Sequence, residues 1–324
     1  MALDVNTLAD GVRAGDRRSL AKAITLIEST HPAHREQAQA LLARLLPATG
    51  GAIRMGLSGA PGAGKSTLIE ALGLMLTAAG RKVAVLAVDP SSAVSGGSIL
   101  GDKTRMEDLS RDPNAFIRPS PSGGTLGGVA ARTREAILAC EAAGFDVVIV
   151  ETVGVGQSET AVAGMTDVFV LLQLPNSGDE LQAIKRGIME LADIVVYNKI
   201  DVDPRAAAVA MGQMKSALSL LRPPEKGWKP PVLGISAARR ERIDLFWGEV
   251  MRCRDTLSAS GELAEKRRRQ ALDWMWTLIE GGLKERFHTH VDVQVMLPQF
   301  SAAVAAGTMT PTAAAARLLD ILER

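Results

Sequence analysis

Gly59-Ala60-Pro61-Gly62-Ala63-Gly64-Lys65-Ser66 fills every fixed position of the pattern G-x-x-x-x-G-K-[ST], and Thr67 adds a second hydroxyl. The apolar run Ile53-Arg54-Met55-Gly56-Leu57 precedes it, and the helical pattern Leu68-Ile69-Glu70-Ala71-Leu72 follows. A strand, a glycine-rich loop and a helix in that order predict a phosphate cradle. The glycines let successive backbone N–H groups turn toward one anion, and the helix adds its positive amino-terminal end. Lys65 would bring a point charge to the β and γ phosphates, and the Ser66 hydroxyl would complete the coordination of Mg²⁺. A glycine-rich turn with a chance lysine is the plain rival, and the flanking pattern argues against it.

Further down the chain, apolar strands repeatedly end in polar residues. Lys82 to Val88 runs into Asp89-Pro90-Ser91-Ser92. Functional groups gather at the carboxyl ends of parallel strands, so Asp89 is a candidate for the metal or its waters; capping the next turn is its other role. Ser95 to Met106 is glycine-rich and polar without periodicity, and within it Asp102 is a second candidate acid against the alternative of a solvated loop aspartate. Ala115 to Pro119 predicts a short strand, and Val129 to Ala143 a helix.

Phe145-Asp146-Val147-Val148-Ile149-Val150-Glu151-Thr152-Val153-Gly154 ends β-formers on an acid, with glycine three residues later. Glu151 at that strand end would hold Mg²⁺ through water or polarise the attacking water, and the residues leave both open. Gly154 would let a backbone N–H approach the γ-phosphate. Asp167 to Leu174 is another strand. Asp193 to Tyr197 leads directly into Asn198-Lys199-Ile200-Asp201, the N-K-x-D pattern. Its acid can accept from both the N1–H and the 2-amino group of guanine. Adenine offers neither donor, so GTP is favoured over ATP. Val232 to Ala237 is the last strand, and Ser236-Ala237 would close over the base edge.

These elements predict an α/β fold: a mostly parallel P-loop NTPase sheet flanked by helices, with helical extensions at both ends. The expected boundaries are an amino-terminal helical extension over 1–49, a GTPase domain over 50–260 and a carboxy-terminal helical extension over 261–324. Residues 4–46 are read as helices broken at His31-Pro32, and Pro47 to Gly51 as a linker. Residues 240–258 and 262–286 are read as helices. The Lys266-Arg267-Arg268-Arg269 run lacks flanking aromatics and is read as a solvated face. His31 with His34, and His288 with His290, are thin metal signals without nearby cysteine or acidic clusters.

The 324-residue chain is 47% hydrophobic and 23% charged, with formal net charge +1, so nothing points to nucleic acid or an acidic membrane. Cys140 and Cys253 are far apart in sequence and read as reduced thiols. No apolar run has the length of a membrane span, and Met1 to Asn6 lacks the features of a secretion signal, so a cytoplasmic protein is expected.

The order G-A-P-G-A-G-K-S-T, V-D-P-S-S, G-D-K-T-R-M, R-P-S-P-S, V-E-T-V-G-V-G-Q-S-E and N-K-I-D resembles the MeaB/ArgK family. These are methylmalonyl-CoA mutase-associated GTPases related to the human methylmalonic aciduria type A protein. The likeness covers nearly the whole chain. It implies a GTP-hydrolysing chaperone that protects and reloads an adenosylcobalamin-dependent mutase, as a homodimer through its terminal helices. By position, Ser66, Asp89, Asp102 and Glu151 would form the Mg²⁺ and switch environment, and Gly154 to Glu159 the γ-phosphate sensor. Lys185, in a further switch over Asn176 to Met189, would swing toward the phosphates when the mutase binds. Two rival functions are a nickel-delivery GTPase and a kinase acting on a transport protein. The first needs a histidine-rich tract or paired cysteines, whereas this chain has four histidines and two distant cysteines.

Overall fold

Val, Ile and Leu dominate the strands because both faces of the sheet are covered. The computed structural model describes residues 4–88, 106–119, 126–152, 158–175, 186–221 and 227–323. Its strands are β1 (Ile53–Gly59), β2 (Val83–Val88), β3 (Ala115–Arg118), β4 (Val147–Thr152), β5 (Val168–Gln173), β6 (Ile194–Tyr197) and β7 (Val232–Gly234). They form a seven-stranded sheet in the order β3-β2-β4-β1-β5-β6-β7, and every pairing between these strands is parallel. The chain leaves central β1 toward one edge and later fills the other. The carboxyl end of β1 is therefore a topological switch point, where open α/β sheets bind ligands.

Strand alternation sends side chains to two cores. Met55, Leu57, Ile149 and Val170 share one with Leu68 and Leu72 of helix α4 (Lys65–Ala78) and with Phe246 of α10 (Ile243–Ala259). Leu86, Val150, Phe169 and Tyr197 share the other with α6 (Leu126–Ala142) and α9 (Pro204–Leu221). That second core also takes in α1 (Val5–Arg13), α2 (Arg17–Glu28) and α3 (Pro32–Leu45), through residues such as Leu20, Ile24 and Leu41. Short helices α5 (Glu107–Arg111), α7 (Ser158–Ala163) and α8 (Arg186–Leu191) lie between strands in the chain.

The amino-terminal helices break twice, once more than the sequence reading placed. Gly15 adopts φ +77, and the Asp16 carboxylate then caps α2 by accepting from the Arg18 and Ser19 amides at 3.3 and 2.8 Å. At the second break His31 Nδ1 accepts from the Ala33 amide at 3.2 Å, and His34 Nδ1 lies 2.7 Å from Ser29 Oγ. These two histidines organise a helix start. Among the described residues no group of three or more His, Cys, Asp or Glu is placed to hold a metal ion.

Polar contacts fix the flanking helices to the sheet. Arg54 of β1 donates twice to Glu141 of α6, at 2.8 Å each, and Glu141 also accepts from the Gly50 amide at 2.8 Å. Arg118 at the end of β3 pairs with Glu28 of α2. Arg17 donates to the carbonyls of Asp112 and Pro113 at 3.2 and 3.3 Å.

The chain divides into two compact units, Met1–Ala264 and Glu265–Arg324. The first contains the amino-terminal helices as well as the sheet. The division falls within α11 (Glu262–Thr289). The second unit continues through α12 (Val291–Ala305) and α13 (Pro311–Asp320), which bury Val293, Ala314 and Leu318. No helix among the described residues is long and apolar enough to cross a membrane.

Candidate nucleotide site

The phosphate loop connects β1 to α4. Gly64, the residue before the helix, has φ +91, a conformation that favours glycine. A Cβ there would also come within 2.4 Å of Asn198 Nδ2. At the loop's other end, a Cβ on Gly59 would sit 2.3 Å from the Leu172 carbonyl of β5. Two of the pattern's glycines are thus required by packing and geometry, quite apart from any ligand. Ala63 is buried, while Pro61 and Gly62 are exposed and Ala60 is half-buried.

Lys65 is buried, and its ammonium donates to the carbonyls of Gly59 at 2.7 Å and Ala60 at 3.2 Å. The charge is stored against the loop that would hold phosphate. Ser66 is half-buried and Thr67 exposed on the first turn of α4. Glu151 is buried on β4, in register with Leu57 of β1 and Ala87 of β2. Beside it, Thr152 Oγ1 donates to Ser58 Oγ at 3.0 Å, both groups being buried. This hydroxyl pair at the ends of β4 and β1 is not a candidate of the sequence analysis, because it exists only once the two strands lie side by side.

The residues expected to meet the base are Asn198, Lys199, Asp201, Ser236 and Ala237. Asn198 is buried and makes three bonds. Its Nδ2 donates to the Ala63 carbonyl at 2.8 Å, and its Oδ1 accepts from the amides of Lys199 at 2.8 Å and Ala237 at 3.0 Å. Lys199, at φ +59, donates through Nζ to the Gly62 carbonyl at 3.0 Å. Phosphate loop, N-K-x-D tetrad and Ser236-Ala237 are therefore one hydrogen-bonded assembly.

Asp201 has its carboxyl held below the usual carboxylate range, chiefly by the Ser236 hydroxyl, with the charge of Arg239 adding to it. Arg239 Nε lies 3.1 Å from Asp201 Oδ2. The acid is ionised at neutral pH, the state in which it would accept from two N–H donors.

Residues 240–242 are not the helix start that the sequence reading expected. Ser236 and Glu241 form an isolated antiparallel bridge, and Arg240 and Arg242 take φ +56 and +64. That turn delays α10 to Ile243. Asp89, Asp102, Gly154 and Lys185 lie outside the described residues.

A parallel sheet with a phosphate loop after its central strand and N-K-x-D after β6 defines the P-loop GTPase class. The family model for "Methylmalonyl Co-A mutase-associated GTPase MeaB" matches residues 20–292, and the chain belongs to that family. It is 51% identical to the mouse "Methylmalonic aciduria type A homolog, mitochondrial", over 97% of this chain and 79% of that protein. It is 47% identical to "GTPase ArgK" of Escherichia coli, over 98% and 97%. A solved structure described as "LAO/AO transport system kinase" superposes with TM-score 0.81 at 39% identity, covering 100% of both chains. The chain is a GTPase, and its family implies binding of GTP and GDP.

Proposed function

We propose that this GTPase acts as a chaperone for an adenosylcobalamin-dependent methylmalonyl-CoA mutase, its nucleotide cycle gating cofactor loading. The observation that carries this reading is whole-chain similarity: a family named for association with the mutase, and a mammalian relative named for methylmalonic aciduria. In the reaction, water attacks the γ-phosphorus of GTP, giving GDP and phosphate. Lys65 leaves the Gly59 and Ala60 carbonyls to neutralise charge on the phosphates, and the loop amides orient them. Asp201 and the Ala237 backbone select guanine. A low basal rate that rises when a partner orders the site suits a timing device.

The residues present fit Mg²⁺. The Ser66 hydroxyl on the first turn of α4 and the buried Glu151 carboxylate at the end of β4 supply the oxygen donors a hard cation prefers. When bound, Mg²⁺ would neutralise phosphate charge. Asp89 and Asp102, by the family resemblance, would complete its environment, with Gly154 sensing the γ-phosphate and Lys185 answering the partner. For the second unit we infer a homodimer contact. Leu272, Met275, Trp276, Ile279 and Leu283 recur at three- and four-residue intervals along α11 and are all exposed. The protein works without a membrane or nucleic acid, in the cytoplasm.

GTP turnover measured with and without purified mutase, with ATP as control, tests the reading. GTP-specific acceleration by the mutase is expected. Equal turnover at saturating mutase would overturn the chaperone role and leave the GTPase. The name of the 39%-identical solved structure favours a second reading, phosphoryl transfer to a transport protein. Labelled GTP or ATP that leaves label on an acceptor protein would establish it, and release of all label as inorganic phosphate would dismiss it.

A further inference from the structure

We propose that Arg239 is a positioning residue for guanine: with the Ser236 hydroxyl, it fixes the Asp201 carboxylate in the orientation that meets the two N–H donors of the base edge. The proposal rests on Asp201 being guanine's acceptor. Arg239 Nε lies 3.1 Å from Asp201 Oδ2; the Asp201 side chain is 14% exposed and that of Arg239 61%. The acid is sheltered, and the arginine reaches it from the rim. The Arg239 amide also donates to Ser236 Oγ at 3.4 Å, and that hydroxyl bonds Asp201. One residue therefore touches both ends of the arrangement, its main chain on the serine and its side chain on the acid.

The backbone is bent to put Arg239 there. The Arg240 amide donates to the Ala237 carbonyl at 3.2 Å, and Ser236 and Glu241 exchange backbone bonds at 3.2 and 2.9 Å. Arg240 and Arg242 take left-handed conformations that non-glycine residues rarely adopt, and such strain persists only where surrounding structure imposes it. An ionised carboxylate has about four acceptor sites. Asp201 can therefore keep the arginine and the serine while still accepting from guanine. Arg239 then serves as orienter and counter-charge, not as a plug that must leave.

Equilibrium titration of Arg239→Ala and Arg239→Lys with fluorescent GDP and IDP tests this, since hypoxanthine lacks the 2-amino donor. Arg239→Ala should weaken GDP about two- to fivefold, the range of an exposed ion pair. IDP should suffer less, so the GDP-over-IDP preference narrows. Arg239→Lys should recover part of it, and added salt should shrink the difference. A merely structural arginine would leave the ratio untouched. Unchanged GDP affinity and ratio in a folded Arg239→Ala would overturn the proposal, and so would tighter GDP binding, which would make Arg239 a competitor of the base. Wild-type protein that binds GDP and IDP equally would instead remove the premise about Asp201, and the proposal with it.

Discussion

Asn198 Nδ2 donates to the Ala63 carbonyl at 2.8 Å, joining the N-K-x-D tetrad to the middle of the phosphate loop. The same side chain accepts from the Lys199 and Ala237 amides. One buried amide therefore holds three loops in mutual register. Asn198→Ala leaves the Ala63 carbonyl and the Ala237 N–H without this partner, at a cost of about 2 kcal/mol. Denaturant unfolding should show that loss, and GDP and pyrophosphate should both bind more weakly. Weakened GDP binding with unchanged pyrophosphate binding would confine Asn198 to the base.

Lys65 rests on the Gly59 and Ala60 carbonyls. Lys65→Ala should still fold, because the mutation removes a buried charge and leaves the apolar core around α4 intact. Its GTP turnover should fall by about 100-fold or more, because no other side chain of the loop could bring a positive charge to the transferring phosphoryl group. Circular dichroism beside a phosphate-release assay separates the two effects, and turnover close to wild type would count against the assigned role.

Glu141 is 1% exposed and paired bidentately with Arg54, which is 16% exposed. It belongs to the scaffold and lies outside the nucleotide site. Removing the acid strands a mostly buried guanidinium, so Glu141→Ala should lose about 3 kcal/mol of stability. Turnover at saturating GTP below the melting range should hold. Intact stability would show that the pair contributes nothing net.

Much of this was legible in the chain, and the reasons are specific. Gly59 to Ser66 and Asn198 to Asp201 are contiguous motifs, each at the end of an apolar run, so their placement at strand ends followed from period and punctuation. The helix break at Gly15 is hard to read from sequence because Ala14-Gly15-Asp16 interrupts the pattern without a proline. The contact of Arg239 with Asp201 spans residues far apart in the chain, and the turn behind it uses arginines where sequence rules look for glycine. The bonds of Asn198 to Ala63, and of Thr152 to Ser58, likewise exist only once strands are ordered in space. A pattern names the residues of one loop; the tertiary fold decides which loops meet.

The Asp201 carboxyl is held below its ordinary value, first by the Ser236 hydroxyl. A depressed folded value means the ionised form persists as pH falls, and the stability it lends is lost only as pH drops through that folded value. GDP affinity should therefore be flat from neutrality down to about pH 5 as far as this group is concerned. Titrations across that range check it, and a fall centred near neutrality would point to a different controlling group.

Guanine reading by Asp201 within a single assembled site is tested most directly by Asp201→Asn. Asparagine removes the carboxylate proposed to accept from guanine and supplies a donor for the 2-carbonyl of xanthine. Turnover of GTP should drop by about 100-fold or more while XTP becomes the better substrate. Unchanged GTP turnover, or equal loss of GTP and XTP turnover in a folded protein, would contradict guanine reading by Asp201.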